Sequence, residues 1–542
     1  MHPSSRGQKD LPLNLLALII AQIDDVADLS RLTRTSRLLY YMTLPRLYEH
    51  VTLRSYAELR YFNGRPEGYG GGSPFSMGLN GLATRNTASY VKGWKLLGDW
   101  RESDVDDFTK GRVPDNSMML NIVIRAAMDK MTCLESFGWE LNTKPLSTIY
   151  HGLANRHTLT SLTLAFPSTR VPRPTVLIPP MPNLRAFKAL NIDPLCYPDD
   201  ISLLLLHSRN LESLTLNWSP RMRDEGETSV NLHSYFGKCI AAGHILPVQH
   251  FSFSNLFSQH DVDMEQVFRF ETMRSVTFIN CVGGEDPMTV FLDNSWRMKE
   301  PGVIPTQLKM MRGDILDRTH AGMLSRFNGL EELYLVNAKR QRHNSTSAST
   351  TPMRTPAAAS PITRSPSTKE ASQESIQVAA DYLAAITSHH GHSMRRLLLS
   401  DQWRLGQDVV SRLVAACPNL EQLGLALEGR WPGELRAFIP LMPKLYAVRI
   451  LIGLEDNEVE HFAALDDSVH EALLGHELWR PEYKNLQYIG LGDFVFECGK
   501  IIHSDSKATE KGSKPVLLRQ VKRVPKEEAK KIEIWGMDSL DV

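Results

Sequence analysis

Several things this sequence lacks narrow its function before anything it contains is considered. Net charge is absent: 61 basic residues balance 61 acidic ones, so no global field favours nucleic acid or an anionic membrane. Cysteine is scarce and scattered. The six (Cys133, Cys196, Cys239, Cys281, Cys417 and Cys498) never form a Cys-x-x-Cys pair, which argues for buried thiols in a reducing compartment over disulfides or a zinc site. Long apolar runs are missing, with no stretch of about 18 uncharged apolar residues. The first residues lack the basic, apolar, small-residue order of a signal peptide. Together these absences predict a soluble protein of the cytoplasm or nucleus, with no nucleic-acid partner and no membrane partner.

Catalytic patterns are missing as well. No Gly-x-Ser-x-Gly, His-Glu-x-x-His or phosphate-loop pattern occurs. Gly68 and Gly70-Gly71-Gly72 lie in a glycine-rich stretch with no Gly-Lys-Ser/Thr after it, which reads as a flexible loop. Asp104, Asp106 and Asp107 cluster without a recognised partner. Glu455-Asp456-Asn457-Glu458 lacks the glycine and ligand spacing of a calcium loop. His389-His390 and His392 end a helical stretch, where imidazoles suit the helix C-terminus. The expectation is a non-enzyme with no catalytic residue, no cofactor and no metal.

What the chain does have is a recurring pattern, Leu-x-x-Leu-x-Leu. Clear copies are Leu159 to Leu164, Leu211 to Leu216 and Leu420 to Leu425. Looser copies begin at Val91, Leu134, Leu184, Val248, Met273, Leu330, Met394, Leu445 and Leu486. From Leu134 the starts are separated by 25, 25, 27, 37, 25, 57, 64, 26, 25 and 41 residues. The 57 is close to two units, with a degenerate copy at Leu308, and the 64 contains a polar insert. A period of about 20–29 residues with this pattern is that of leucine-rich repeats. The last four residues of each copy alternate as a half-buried strand does. Each unit buries too little alone, so units stack into a parallel sheet with helices crossing back behind it. The buried pairs are Leu162 and Leu164, Phe187 and Ala189, Leu214 and Leu216, Phe251 and Phe253, Val276 and Phe278, and Leu333 and Leu335. The residue between each pair (Thr163, Lys188, Thr215, Ser252, Thr277, Tyr334) points outward. Val91-x-x-Trp94-x-Leu96 reads as the first rung. Helices are predicted over 116–131, 199–208 and 409–416, each leading into a rung. The fold class is therefore α/β, a solenoid of parallel strands with crossover helices. Loops such as 167–182 and 217–231 are either binding surface or drift.

Ahead of the repeats, Pro12 suits the first turn of a helix, and Leu11, Leu15, Leu16, Ile19 and Ile23 recur at helical spacing. Asp24-Asp25 closes that helix. Asp28 is positioned to cap a second, on which Leu29, Leu32, Ser36 and Leu39 share a face. A short third segment runs from Met42 to His50, and Val51 and Leu53 then alternate as in a strand. Periodicity alone is satisfied by a helical cap on the first repeat, which a solenoid requires. The residue order goes further. Leu11-Pro12, Leu15-Leu16, Ile19, Asp28-Leu29, Leu32, Ser36-Arg37 and the closing Leu44-Pro45-x-Leu47-Tyr48 resemble an F-box over about residues 8–54. The usual tryptophan near the end of the motif is replaced by Leu47-Tyr48, as in the variant common in fungal F-box proteins. Cys417-Pro418-Asn419-Leu420-Glu421-x-Leu423 likewise resembles the cysteine-type leucine-rich repeats that accompany F-boxes.

The resemblance implies a substrate-recognition adaptor of an SCF-type cullin–RING ubiquitin ligase. Its partners would be the linker subunit and cullin, together with a protein substrate of unknown identity. Leu11, Pro12, Leu15, Leu16, Ile19, Ile23, Leu29 and Leu32 would serve the F-box contact, and outward rung residues such as Lys188, Tyr334 and Arg449 are candidates for the substrate face. The alternative is a leucine-rich-repeat scaffold acting outside any ubiquitin ligase. Exposure of Leu11-Pro12 and Leu15-Leu16 separates the two, because a pure cap buries them.

The remaining segments are a polar tail (1–9), an F-box-like domain (10–54), a linker (55–90), and repeats over 91–338 and 377–500. Between the two runs of repeats, residues 339–376 are Ser-, Thr- and Pro-rich and too poor in apolar side chains to fold. As a free coil they would span roughly 35 Å. Thr351, Thr355, Ser360 and Ser365 each precede proline. They are candidate phosphorylation sites, each phosphate adding about −1.5 to −2 charge, in what is otherwise an inert insert. The final segment, 501–542, is basic. Within it 507–531 reads as a solvated face, and Ile532-Glu533-Ile534-Trp535 as a terminal strand.

Overall fold

The computed structural model describes residues 11–62, 64–66, 72–100, 107, 110, 112–167, 174–194, 199–221, 230–260, 266–283, 307–336, 368–429, 431–451, 467–504 and 516–540. Thr351, Thr355, Ser360, Ser365, Asp104, Asp106, Cys196, the acidic run 455–458 and Gly68 to Gly71 lie outside them. The fold is α/β, with a mostly parallel open sheet and crossover helices. It divides into two compact units, 1–248 with 257–268, and 249–256 with 269–542.

The first unit opens with three helices, α1 (Leu13–Ala21), α2 (Val26–Leu32) and α3 (Arg37–Leu47). Asp25, not Asp28, caps α2. Its carboxylate accepts from the N–H groups of Ala27 at 2.6 Å and Asp28 at 3.1 Å. Asp28 sits in the first turn and pairs with Arg31. Ser36, expected on the face of α2, instead caps α3 by accepting from the Leu39 N–H at 3.2 Å. Both departures have one cause: a short oxygen-bearing side chain satisfies orphan N–H groups best where the chain turns. The third helix consequently begins at Arg37 rather than Met42 and carries Pro45 in its last turn.

Strand β1 (His50–Ser55) follows directly and pairs in parallel with β2 (Gly93–Gly98). The ladder continues through β3 (Ser136–Leu141), β4 (Ser161–Ala165), β5 (Ala186–Ile192) and β6 (Ser213–Trp218). The first rung is therefore β1, one strand earlier than Val91. Register aligns Val51, Trp94, Phe137, Leu162, Phe187 and Leu214 in one inward row, and Leu53, Leu96, Trp139, Leu164, Ala189 and Leu216 in the next. From Trp94 and Leu96 onward every residue of these rows is buried. The crossovers include α4 (Pro74–Thr84), α5 (Asp115–Lys130), α6 (Ser147–Ala154), α7 (Ser202–His207) and α8 (His233–Ala241). Helix α4 lies inside the stretch read as a linker. It is a packed crossover helix, with Phe75, Leu79 and Leu82 buried.

The second unit repeats the plan. Parallel strands β7 (His250–Ser254), β8 (Ser275–Ile279), β9 (Met310–Gly313), β10 (Glu332–Leu335), β11 (Arg396–Leu398), β12 (Gln422–Leu427), β13 (Ala447–Ile450) and β14 (Tyr488–Leu491) pair in sequence order. The degenerate copy at Leu308 is thus a rung, with Leu308 and Met311 buried. Its helices are α9 (Arg318–Leu324), α10 (Thr368–Ala385), α11 (Gln407–Ala416), α12 (Trp431–Phe438) and α13 (Asp467–Leu478). Helix α10 begins inside the 339–376 stretch read as unstructured, and its Val378, Ala379 and Tyr382 are buried. It ends in a π-turn, Ile386–His390.

Three asparagines at the ends of rungs, Asn191 in the last residues of β5 and Asn255 and Asn280 just past β7 and β8, hold left-handed backbone with φ of 55°, 56° and 57°, which Asn tolerates better than bulkier residues. Asn280 donates to the Asn255 side chain at 2.5 Å. The signal was present in the sequence as an Asn seven residues after Leu184, Val248 and Met273.

Two expectations for the end of the chain meet the structure differently. Residues 516–523, within the stretch read as a solvated face, form strand β16 (Val516–Arg523), on which Gln520, Lys522 and Arg523 are exposed and Arg519 and Val521 are buried. With β15 (Phe494–Ser504) it closes the sheet in antiparallel fashion after β14. The Arg519 guanidinium ties this hairpin down by donating to the carbonyls of Gly499, Tyr483 and Leu486 at 3.0, 2.6 and 2.7 Å. Residues 532–535 are not a strand. After α14 (Lys526–Ala529), the stretch turns into α15 (Glu533–Gly536). Four alternating residues are too few to separate the two periods.

Candidate functional site

Helix α1 is apolar on two sides. Leu16, Ile20 and Ile23 recur at i, i+4, i+7. Ile20 is buried and the other two are half-buried, forming with buried Leu29, half-buried Leu32 and buried Leu44 the interior of the three-helix group. The second stripe has no such use. Leu15, Leu18 and Ile19, with Leu11 just ahead of the helix, keep 43–62% of their surface exposed, and Pro12 is exposed beside them. Val26, Leu38 and Tyr41 of the neighbouring helices are exposed too. The predicted contact set is therefore divided. Leu11, Pro12, Leu15 and Ile19 are exposed, whereas Leu29 is buried and Leu16, Ile23 and Leu32 are half-buried. Leu18 joins the outward set. Exposed apolar side chains grouped in this way are a candidate contact surface.

The three helices are fixed to the first rungs by Glu49. Its carboxylate accepts from Lys92 Nζ at 2.9 Å and from Arg46 at 2.8 Å, and Arg46 also reaches Asp24 at 3.1 Å. The hydrogen bonds from Lys92 and Arg46 hold the Glu49 carboxyl below its ordinary pKa. The Glu49 carbonyl accepts from the N–H groups of Lys92 and Gly93, both at 2.9 Å.

The outward rows of the two units differ. In the first, Thr52, Lys95, Gly138, Thr163, Lys188 and Thr215 stand in register. All except Gly138 are exposed or half-buried, and Lys95 pairs with Glu140 at 2.7 Å. In the second, the row is Ser252, Thr277, Arg312, Tyr334, Leu398, Gly424, Arg449 and Gly490. Tyr334 and Arg449, expected to be exposed, are 0% and 3% exposed, and Ser252 and Thr277 are buried as well.

What covers Tyr334 and Arg449 is the 525–540 segment. Its Ala529, Ile532, Ile534 and Trp535 pack with Tyr334, Leu398, Ala426 and Ala447. Arg312 donates to the carbonyls of Met537 and Ser539 at 2.8 and 2.6 Å. Arg449 donates to the Ile534 carbonyl at 3.2 Å and pairs with buried Asp538 at 2.8 Å. Gln422 accepts from the Ile534 N–H at 3.0 Å and donates to Glu533 at 2.5 Å. Arg396 also meets Glu533, at 3.0 Å. Trp535 lies over Gly490, where an added Cβ would meet its ring at 2.6 Å.

The chemically suggestive groups have structural work. Burial pushes the thiols of Cys239, Cys417 and Cys498 up to about 11, 12 and 12, which leaves them inert near neutral pH. His390 is buried. Its Nδ1 accepts from the Leu330 N–H at 3.3 Å and its Nε2 lies 2.9 Å from the Leu324 carbonyl, so the neutral ring latches α10 to the preceding rung, and burial holds its pKa down. Asp199 is buried against Lys144 and Tyr150 and accepts from the Val176 N–H at 3.0 Å, pinning a return loop. Among the described residues no group of three or more His, Cys, Asp or Glu is placed to hold a metal, and no helix is long and apolar enough to cross a membrane. A scan against protein-family models gives no match, and a search of curated proteins gives none either.

Proposed function

We propose that the chain is an F-box protein with leucine-rich repeats, acting as a substrate-recognition adaptor of a cullin–RING ubiquitin ligase. The three helices dock on the linker subunit, which joins the chain to the cullin, and the repeats hold a protein substrate. The chemistry belongs to the other subunits, and this chain contributes proximity and orientation. The observation that carries the reading is the unused apolar stripe of α1, Leu11, Leu15, Leu18 and Ile19. A helical cap would turn those residues into the solenoid.

Magnitudes refine the reading. Full burial of a leucine or isoleucine contributes roughly 1.5–3 kcal/mol. These four residues, each about half exposed, thus offer about 4 kcal/mol, at the lower end of the roughly 4–15 kcal/mol lost on association. Helix α1 alone is insufficient, and Val26, Leu38 and Tyr41 are the residues of the same group available for the remainder.

The test is co-purification of the full chain with the linker subunit, wild type against Leu11→Ala/Leu15→Ala/Ile19→Ala. Leu16 and Leu29 are left intact because they hold the helices together. The expected result is capture of wild type and loss of capture by a variant with an unchanged circular dichroism spectrum. Failure of folded wild type to bind the linker subunit would overturn the adaptor reading and leave a repeat scaffold independent of ubiquitin.

A further inference from the structure

The 525–540 segment sits on the second unit as a peptide sits on a receptor. Its backbone joins no rung. Instead, side chains of the sheet read it: Arg312 takes two of its carbonyls, Arg449 a third, and Gln422 an N–H. Helices α14 and α15 are four residues each, far below the length at which a helix holds itself together, so the surface beneath them supplies their order. Charge is complementary, with acidic Glu533 and Asp538 on basic Arg396 and Arg449. The fit is nevertheless imperfect. The Trp535 indole N–H is buried with no acceptor among the described residues.

We propose that the outward face of the second unit is a peptide-recognition face for an acidic segment with an aromatic anchor, supplied by a partner protein, and that residues 532–539 are its resident occupant. The arginines select acidic residues flanking the anchor, and Gly490 leaves room for the ring. A partner peptide competes with the resident segment, so its apparent affinity is lowered by the fraction of chains whose face is covered. Calling that partner a ubiquitination substrate rests on the adaptor reading; the face and its preference do not.

The test uses the full chain and a labelled peptide of residues 530–540, with no ligase subunit present. Glu533→Arg/Asp538→Arg sets the resident segment against Arg396 and Arg449. The expected result is peptide binding at least about tenfold tighter than to wild type, lost when Arg449→Ala is added, and absent for a peptide of scrambled order. A folded charge-reversed chain that binds no better than wild type, or binding indifferent to Arg449→Ala, would overturn the proposal. A second measurement needs no variant. Hydrogen exchange on wild type should show the Ile534 and Trp535 amides exchanging at least about tenfold faster than rung amides of β11 to β13, because the segment lifts off an intact sheet. Equal rates would make the segment core rather than occupant. Linker-subunit capture on the same samples is scored separately, so failure of one reading leaves the other standing.

Discussion

The two units share one plan and differ at one row. In both, the middle residue of each rung points away from the crossover helices. In the first unit that row is Thr, Lys and Gly and stays open. In the second it carries Arg312, Tyr334, Leu398 and Arg449 and is roofed by a segment from far along the chain. The difference teaches that strand alternation fixes direction, not exposure. A side chain pointing outward is a surface residue only if nothing later in the chain lies on it.

The sharpest way to break this comparison is to remove the same kind of side chain from each row. Arg449→Ala leaves Asp538 buried without its cation, a loss of about 3–5 kcal/mol. Lys188→Ala, at a half-buried position of the open row, should cost no more than about 1 kcal/mol, the scale of a solvent-screened polar contact. Urea unfolding of the two variants measures both, and similar losses would mean that the first unit's row is also structurally committed. Glycine gives a subtler contrast with opposite signs. At Gly490 a methyl meets the Trp535 ring, so Gly490→Ala should cost about 1–3 kcal/mol. At Gly138 the nearest atom to an added Cβ is Lys95 Cγ at 3.4 Å, a flexible neighbour. Gly138→Ala should therefore be neutral or stabilising by up to about 0.5 kcal/mol, as glycine in a strand carries excess entropy in the unfolded chain. Thermal melts of the pair decide it.

The smallest expected effect concerns acid. The folded Glu49 carboxyl lies below its ordinary value, so its contribution is complete above the unfolded glutamate value of about 4.3. It is lost as pH falls through the folded value. Glu49→Gln should remove that step, flattening stability in acid while leaving the second unit's covered row unaffected. Identical acid profiles for wild type and variant would show that the joint does not depend on the charge.

Much of the fold was readable because two periods coincide. Leu162 and Leu164 alternate locally, and their counterparts return about 25 residues on, so strand, inward face and register follow together. Single rungs without a clear first leucine were harder. Val51 and Leu53 read as a strand but not as the first rung. Caps were misplaced by a few residues because Asp25 and Asp28 are the same residue type, and only the turn geometry chooses between them. At the candidate docking site, the run Leu15-Leu16-Ala17-Leu18-Ile19-Ile20 announces a helix but not which side is core, since both sides are apolar. The roof over Arg449 left no local trace at all. Arg449 and Asp538 are 89 residues apart, and nothing in either neighbourhood names the other.

The joint at Glu49 has a consequence best put as mechanics. Only Tyr48 and Glu49 separate α3 from β1, and the ion pairs and backbone bonds there bind helix to ladder. The six strands of the first unit, at about 4.8 Å spacing, place β6 some 24 Å from β1. A looseness of ~10° at the base of an arm that long would swing its far edge by about 4 Å, more than the reach of a hydrogen bond. Stiffness at this joint therefore sets the aiming error between the three helices and the far strand of the first unit.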